Sequence, residues 1–318
     1  MKRLTIAATM AAALATGAAT AQSFPSQPVT IVVPYGAGGV TDGLSREVAG
    51  ALQEAWGQPV IVENRPGGGS MIGSAHVATS TPDGYTLLFT TSAFATGPAV
   101  LPDIPFDPRA DIQPIGLLGY IPMVFVAGPS TEATNILEFI DEARERELFA
   151  ATAGLGTTTH FTVEMLMQAA GIVMETVHYS GGGDAAAAVL GGHADIYAST
   201  PGSTLDNIRA GNLRGLATPG DVRISVLPDM PSTAELGLEG INATFWVGLF
   251  APAGVPDDVA QAINDGIATA LENPSVAERL ENINFQARPN SVAEFEAQIE
   301  RELTYWAELA AARGLAPN

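Results

Sequence analysis

A β-branched run that ends in proline and a glycine cluster, followed at once by apolar residues at helical spacing, leaves a chain few choices of fold. Val29 to Val33 is such a run. Pro34 stops it, Gly36-Ala37-Gly38-Gly39-Val40-Thr41-Asp42 follows, and Leu44, Val48, Leu52 and Trp56 then recur along one helix face. The order strand, glycine loop, helix opens a parallel βαβ unit, whose sheet needs cover on both faces. The theme continues with a strand at Pro59–Val62, a flexible loop at Gly67–Gly69, a helix over Met71–Thr79 and a strand at Tyr85–Thr91.

The rhythm then breaks. Pro98, Pro102, Pro105, Pro108 and Pro114 fall close together, which forbids a regular helix and predicts a surface crossing. Two buried strands are expected over Ile115–Ala127, separated at Pro122, and a lobe boundary fits there. Beyond Pro129 the pattern restarts with a helix carrying Ile136, Phe139, Ile140 and Ala143, a strand Leu148–Thr152, a Gly/Thr loop, and a helix through Phe161, Met165 and Leu166. Strands at Met174–His178, Asp195–Ser199 and Leu213–Ala217 alternate with helices at Asp184–Leu190 and Thr204–Ala210. The apolar run Phe245–Ala251 precedes two amphipathic helices, one with Val259, Ile263, Ile267 and Leu271, the other with Val292, Phe295, Ile299, Leu303 and Trp306. If Phe245–Ala251 rejoins the first sheet, two extended segments cross between lobes and form a hinge.

The 318 residues are enough for two lobes, each with its own core. Cysteine is absent, which excludes disulfides, thiolate metal sites and thiol nucleophiles. Acidic residues outnumber basic ones 34 to 14 and Lys2 is the only lysine, so no basic face exists to displace counterions from nucleic acid. The histidines His76, His160, His178 and His193 include no pair at i, i+4, and no metal site is expected. Residues 1–21 read as a secretory signal: Lys2 and Arg3, an alanine-rich apolar stretch, then Ala19-Thr20-Ala21 before Gln22. A membrane anchor is the alternative, but the stretch is short and ends in small residues. A soluble chain exported to the periplasm, cleaved before Gln22, is therefore expected.

Two loops share a design: Gly36 to Asp42 after the first strand, and Gly154-Leu155-Gly156-Thr157-Thr158-Thr159 after the Leu148 strand. Glycine lets backbone approach a ligand, Thr41 or Thr157 can cap, and the helix start offers free N–H groups and partial positive charge. Two such loops facing one cleft can hold a carboxylate inside an acidic protein. Taken singly, each is also an ordinary strand-to-helix turn. A dinucleotide enzyme is the rival reading, since Gly36-x-Gly38 and Glu63 imitate its fingerprint, but Thr41 replaces the third glycine. A hydrolase is weaker still, because no Gly-x-Ser-x-Gly elbow occurs, although Ser180 and the four histidines are present. No enzyme and no cofactor are expected. His160 reaches the cleft or merely packs, Asp184 reads as a helix cap, and Tyr35 stacks on a ligand or covers the sheet end.

The blocks Val32-Val33-Pro34-Tyr35-Gly36-Ala37-Gly38-Gly39-Val40-Thr41-Asp42, Val62-Glu63-Asn64-Arg65-Pro66-Gly67 and Pro82-Asp83-Gly84-Tyr85-Thr86-Leu87 are joined by others further on. These are Gly154-Leu155-Gly156-Thr157 with His160, Leu190-Gly191-Gly192-His193-Ala194-Asp195, Leu227 through Gly237, and Gly248 through Pro256. In this order they resemble the Bug-type solute receptors of tripartite tricarboxylate transporters, over essentially the whole mature chain. The resemblance implies an α/β, two-lobe periplasmic binding protein of the type II-like, Venus-flytrap kind. Each lobe would be a mixed, largely parallel sheet flanked by helices, with a two-strand hinge. Residues 22–124 and 245–318 would form one lobe and 125–244 the other.

It further implies a monomer that closes on a small carboxylate, such as a dicarboxylate, tricarboxylate, amino acid or aromatic acid, and hands it to membrane transporter subunits. Presentation of the closed form to a signalling partner is the other reading of the same cleft. The candidate ligand-binding residues are Tyr35, Gly38, Gly39, Val40, Thr41, Asp42 and Ser92 from one lobe. From the other come Ala153, Gly154, Gly156, Thr157, Thr158, His160 and Ser180. Arg65 reads as structural. Tyr179-Ser180-Gly181-Gly182-Gly183-Asp184 lacks the Lys and Pro common in the family, and Asp221-Val222-Arg223 replaces a more basic stretch, so ligand identity stays open.

Overall fold

A computed structural model describes residues 24–241, 245–312 and 314–317; the expected signal peptide, residues 1–21, lies outside them. In the first sheet, β1 (Val29–Val33) lies between β2 (Val60–Asn64) and β3 (Thr86–Thr91), parallel to both. Four of the five β1 residues are fully buried, as a parallel strand covered on both faces requires. The sheet is completed by β4 (Ile112–Ile121), β10 (Phe245–Pro252) and the short β11 (Gln286–Ala287), all paired antiparallel, in the order β11-β4-β10-β3-β1-β2. The second sheet runs β7-β6-β8-β5-β9, built from β5 (Val124–Ala127), β6 (Phe149–Thr152), β7 (Glu175–His178), β8 (Ile196–Ser199) and β9 (Arg214–Ala217). Here β6, β7 and β8 are parallel, while β5 is antiparallel to both of its neighbours.

Both sheets are therefore mixed, and their antiparallel members include the strands on which the chain leaves or re-enters a lobe. β4 ends at Ile121 in the first sheet and β5 begins at Val124 in the second, with Pro122 denying the ladder a donor between them. β10 then returns to lie between β3 and β4, which makes it the second crossing anticipated from the apolar run Phe245–Ala251.

The helices are α1 (Val40–Trp56), α2 (Met71–Ala78), α3 (Ala93–Thr96), α4 (Ile136–Glu145), α5 (Thr158–Ala170), α6 (Gly182–Leu190), α7 (Pro201–Arg209), α8 (Asp257–Leu271), α9 (Pro274–Asn282) and α10 (Val292–Ala312). The spacing of Leu44, Val48 and Leu52 places all three in the core on one face of α1. Three helix starts differ from the sequence reading. α6 begins at Gly182, two residues before Asp184; α7 begins at Pro201, three before Thr204; and α9 was not anticipated. Glycine and proline lower helix propensity in an interior but are tolerated in the first turn, where N–H groups have no intrahelical acceptor, and Pro201 and Pro274 occupy that turn. α3, which was not anticipated either, ends just before the proline-rich stretch, and a single 3-10 turn at Gly97–Ala99 opens that stretch ahead of β4. Among the described residues, no helix is long and apolar enough to cross a membrane.

Candidate functional site

The carboxyl ends of β1, β3, β6, β7 and β8 lead into loops that face one another between the two sheets, the place where α/β folds gather ligands. A cavity of about 200 Å³ lies there. Its first-lobe wall is Tyr35 to Asp42 with Thr91 and Phe245. Its second-lobe wall is Ala153, Thr157, Thr159, Ser180 to Asp184, Tyr197, Thr200 and Ser203.

Four helices start on this cavity. Gly39 is the N-cap of α1, Thr157 of α5, Gly181 of α6 and Thr200 of α7. Only Thr157 caps with its side chain, accepting the His160 N–H, so the first-turn donors of α1, α6 and α7 carry no side-chain cap. Each helix start presents partial positive charge, and together they make the cavity attractive to an anion although no Lys, Arg or His among the described residues lines it. Two glycine clusters keep side chains out of the way. Gly38 sits at φ +85°, a conformation that favours glycine, and a Cβ added at Gly36, Gly38, Gly181 or Gly183 would meet nothing within 4 Å.

The first-lobe wall is held rigidly. Asp42 accepts from the Gly38 N–H at 2.8 Å and from Asn64 Nδ2 at 2.9 Å, and forms an ion pair with Arg46 at 2.9 Å. Burial would raise this carboxyl, but the bonds from Arg46, Gly38 and Asn64 outweigh it and hold Asp42 below its ordinary range. Asn64 also donates to the Tyr35 carbonyl at 3.1 Å, and the Tyr35 hydroxyl bonds Thr91 Oγ1 at 2.7 Å. Burial pushes the Tyr35 and Tyr197 hydroxyls up, so both stay neutral at the cavity.

The cleft walls explain how the two lobes meet. Ser92 and Thr158, both buried, share a hydrogen bond of 2.5 Å, and Thr96 donates to the Gly156 carbonyl at 2.5 Å. Gly69 lies so close to the second lobe that an added Cβ would stand 2.4 Å from the Leu155 carbonyl oxygen. A second set of contacts brings Gly202 against Val40 and Ile283, and Ser225 donates to Asn284 at 2.9 Å.

A family model described as tripartite tricarboxylate transporter family receptor matches residues 44–315. The chain belongs to this receptor family. BugT of Bordetella pertussis is 34% identical over 262 residues, 81% of this chain and 80% of BugT. Two solved structures are similar over nearly the whole chain. The periplasmic binding protein BugD has a TM-score of 0.88 at 29% identity, with 93% of this chain and all of that one covered (100%). The R. palustris protein Rpa4515 with adipate has a TM-score of 0.87 at 28% identity, with 93% and 100% covered. The receptor is thus a solute-binding protein with the two-lobe periplasmic-binding-protein fold, and not an enzyme.

Of the residues singled out from the receptor's sequence, Tyr35, Gly38, Gly39, Val40, Thr41, Asp42, Ala153, Thr157 and Ser180 line the cavity. Ser92, Gly154, Gly156, Thr158 and His160 do not; Ser92, Gly156 and Thr158 join the lobes. The Gly154 to Thr157 turn folds onto Gly69 and Gly97 of the opposite lobe, and within it Thr157 alone lines the cavity. His160 is buried beneath it, with Nδ1 taking the Gly156 N–H at 3.3 Å and Nε2 3.5 Å from Glu164. Thr41 does not cap α1, because Gly39 holds that position. Asp184 is not the cap of α6 either; it stands at the third helical position and faces the cavity. Arg65 pairs with Glu63 at 2.7 Å and does not line the cavity.

Sequence reasoning missed Thr91, Thr159, Tyr197, Thr200, Ser203 and Phe245. Thr200-Pro201 carried a signal, since a cap residue followed by proline marks a helix start. Tyr197 and Phe245 sat within apolar strands and carried none.

Proposed function

We propose that this protein is a periplasmic receptor that closes on one small carboxylate and delivers it to the membrane subunits of a tripartite tricarboxylate transporter. The observation that carries this reading is the meeting of four helix N-termini, three without side-chain caps, on a cavity between two lobes that no cationic side chain among the described residues lines. Such a cavity attracts an anion through backbone donors and not through a charged clamp. The similar R. palustris structure holds adipate, which agrees with a carboxylate ligand. In this reading Gly38, Gly39 and Thr41 face Thr157, Thr159 and Ser180 across the ligand. Ser92, Gly154, Gly156, Thr158 and His160 act at the lobe contact instead. Residues 22–124 with 245–318 move as one lobe and 125–244 as the other, although Val124 already belongs to the second sheet. The mature chain works as a monomer after removal of residues 1–21.

Thermal unfolding of the mature protein tests this against mono-, di- and tricarboxylates, amino acids and aromatic acids, with neutral sugars as controls. A ligand at a hundred times its Kd adds about 2.7 kcal/mol and raises Tm. The expected result is a shift with one class of acid and none with sugars, accompanied by a smaller radius of gyration in small-angle scattering. A chain that shifts with sugars alone, or with no acid after unfolding and refolding to release any resident ligand, is not this receptor.

A further inference from the structure

α1 and α6 begin alike. Each has a glycine N-cap, Gly39 and Gly181, and each places an aspartate at the third helical position, Asp42 and Asp184, so that both carboxylates stand at the cavity. Their compensation differs. Asp42 has Arg46 one turn further along α1, with Asn64 and the Gly38 N–H completing its shell. One turn beyond Asp184 is Ala188. Among the described residues no cation pairs with Asp184, and its one side-chain hydrogen bond comes from the Ser180 hydroxyl. The α1 side of the cavity therefore carries a helix N-terminus, a carboxylate and a guanidinium, which leaves positive charge for an anion. At the α6 side the aspartate already offsets its own helix end and no cation follows, so the balance there is negative.

A cavity with these two unlike walls does not suit a symmetric dicarboxylate. We propose that Asp184 determines specificity: the receptor selects a small zwitterion, whose carboxylate sits at the start of α1 and whose ammonium group, with three donors, meets Asp184. This inference rests on the carboxylate-receptor reading and narrows it. Ser180 takes part by orienting the Asp184 carboxylate, and with no Lys, Arg or His among the described lining residues the ammonium meets no competing cation. A second ligand carboxylate on the α6 side would face the Asp184 carboxylate, and the two like charges repel.

Matched pairs of acids isolate this charge difference. Calorimetric titration of the mature protein compares succinate with γ-aminobutyrate, glutarate with δ-aminovalerate and adipate with ε-aminocaproate, and includes the α-amino isomer of each chain. The expected result is that, for at least one chain length, an amino acid binds about tenfold or more tightly than the dicarboxylate of that length. Asp184→Asn should cut that ratio by about tenfold, and Asp184→Lys should invert it in favour of the dicarboxylate. Circular dichroism and Tm of both variants check that each is folded; the Asn variant, nearly isosteric at an exposed helix start, keeps the test decisive if the Lys variant is not. Dicarboxylates that bind as tightly as every amino partner, or a ratio unmoved by Asp184→Asn, would overturn this inference and leave the carboxylate receptor standing. Absence of binding by any acid in the series would overturn the receptor reading and this inference with it.

Discussion

The hydroxyls of Ser92 and Thr158 meet at 2.5 Å across the junction of the two lobes, each fully or nearly fully buried. Ser92 stands at the end of β3 and gives its N–H to the Trp246 carbonyl of β10; Thr158 is the first residue of α5. One hydrogen bond thus ties the sheet of one lobe to a cavity helix of the other. Removing either hydroxyl leaves the partner unsatisfied in a dry contact, which costs about 1–3 kcal/mol. Ser92→Ala and Thr158→Val are each expected to lower stability by that amount in urea unfolding. The double variant should lose less than the sum, because no orphaned hydroxyl remains. Strict additivity would place the two groups in separate environments.

Gly69 governs how closely the lobes approach. At φ +61° it occupies a left-handed conformation, and a Cβ would press on the Leu155 carbonyl, which is backbone and cannot swing aside. Gly69→Ala should therefore enlarge the radius of gyration and weaken ligand affinity while leaving each lobe folded. Unchanged scattering curves with and without ligand would show that this contact does not limit closure.

Arg46 acts on the cavity without lining it. It neutralises Asp42, and its loss leaves a carboxylate at the start of α1 where the proposed ligand places its own. Arg46→Gln should weaken carboxylate binding by about threefold to tenfold, with the loss smaller at high salt because half of the arginine side chain is exposed. Titrations at two ionic strengths check this. An affinity unchanged at low salt would mean that Asn64 and the Gly38 N–H compensate Asp42 by themselves.

Glu302 offers a pH dependence of stability. It is half-buried on α10, accepts from Trp246 Nε1 at 2.7 Å and from Gln298 Nε2 at 2.9 Å, and desolvation raises its pKa despite these bonds. A carboxyl with a raised folded pKa binds its proton more tightly when folded. Its contribution is then complete below the unfolded pKa and fades as pH rises through the folded one. Glu302→Gln keeps an acceptor for Trp246 and removes the titration. Its Tm relative to the parent should rise between about pH 4 and about pH 7. A constant difference across that range would mean that Glu302 does not shift on folding.

The amino-acid sequence by itself determined the alternation of strands and helices, because burial on both faces requires runs such as Val29–Val33 and an amphipathic face requires the spacing of Leu44, Val48 and Leu52. It also marked both glycine loops, since few other residues permit such backbone there. Which atoms of those loops face the cavity was decided only by the tertiary structure. The Gly36 to Asp42 loop lines the cavity, whereas the similar Gly154 to Thr157 loop is mostly spent on contact with Gly69 and Gly97, residues far away in the chain. Charge divides between the two. Asp42 and Asp184 occupy equivalent helix positions, and the Arg46 that pairs with Asp42 stands one turn along the same helix, a spacing the sequence itself shows, whereas Asn64 is brought over from β2 only by the fold. Local preference is written in short spacings, while the approach of distant backbone and of partners from other strands arises only when the two sheets are packed around one cleft.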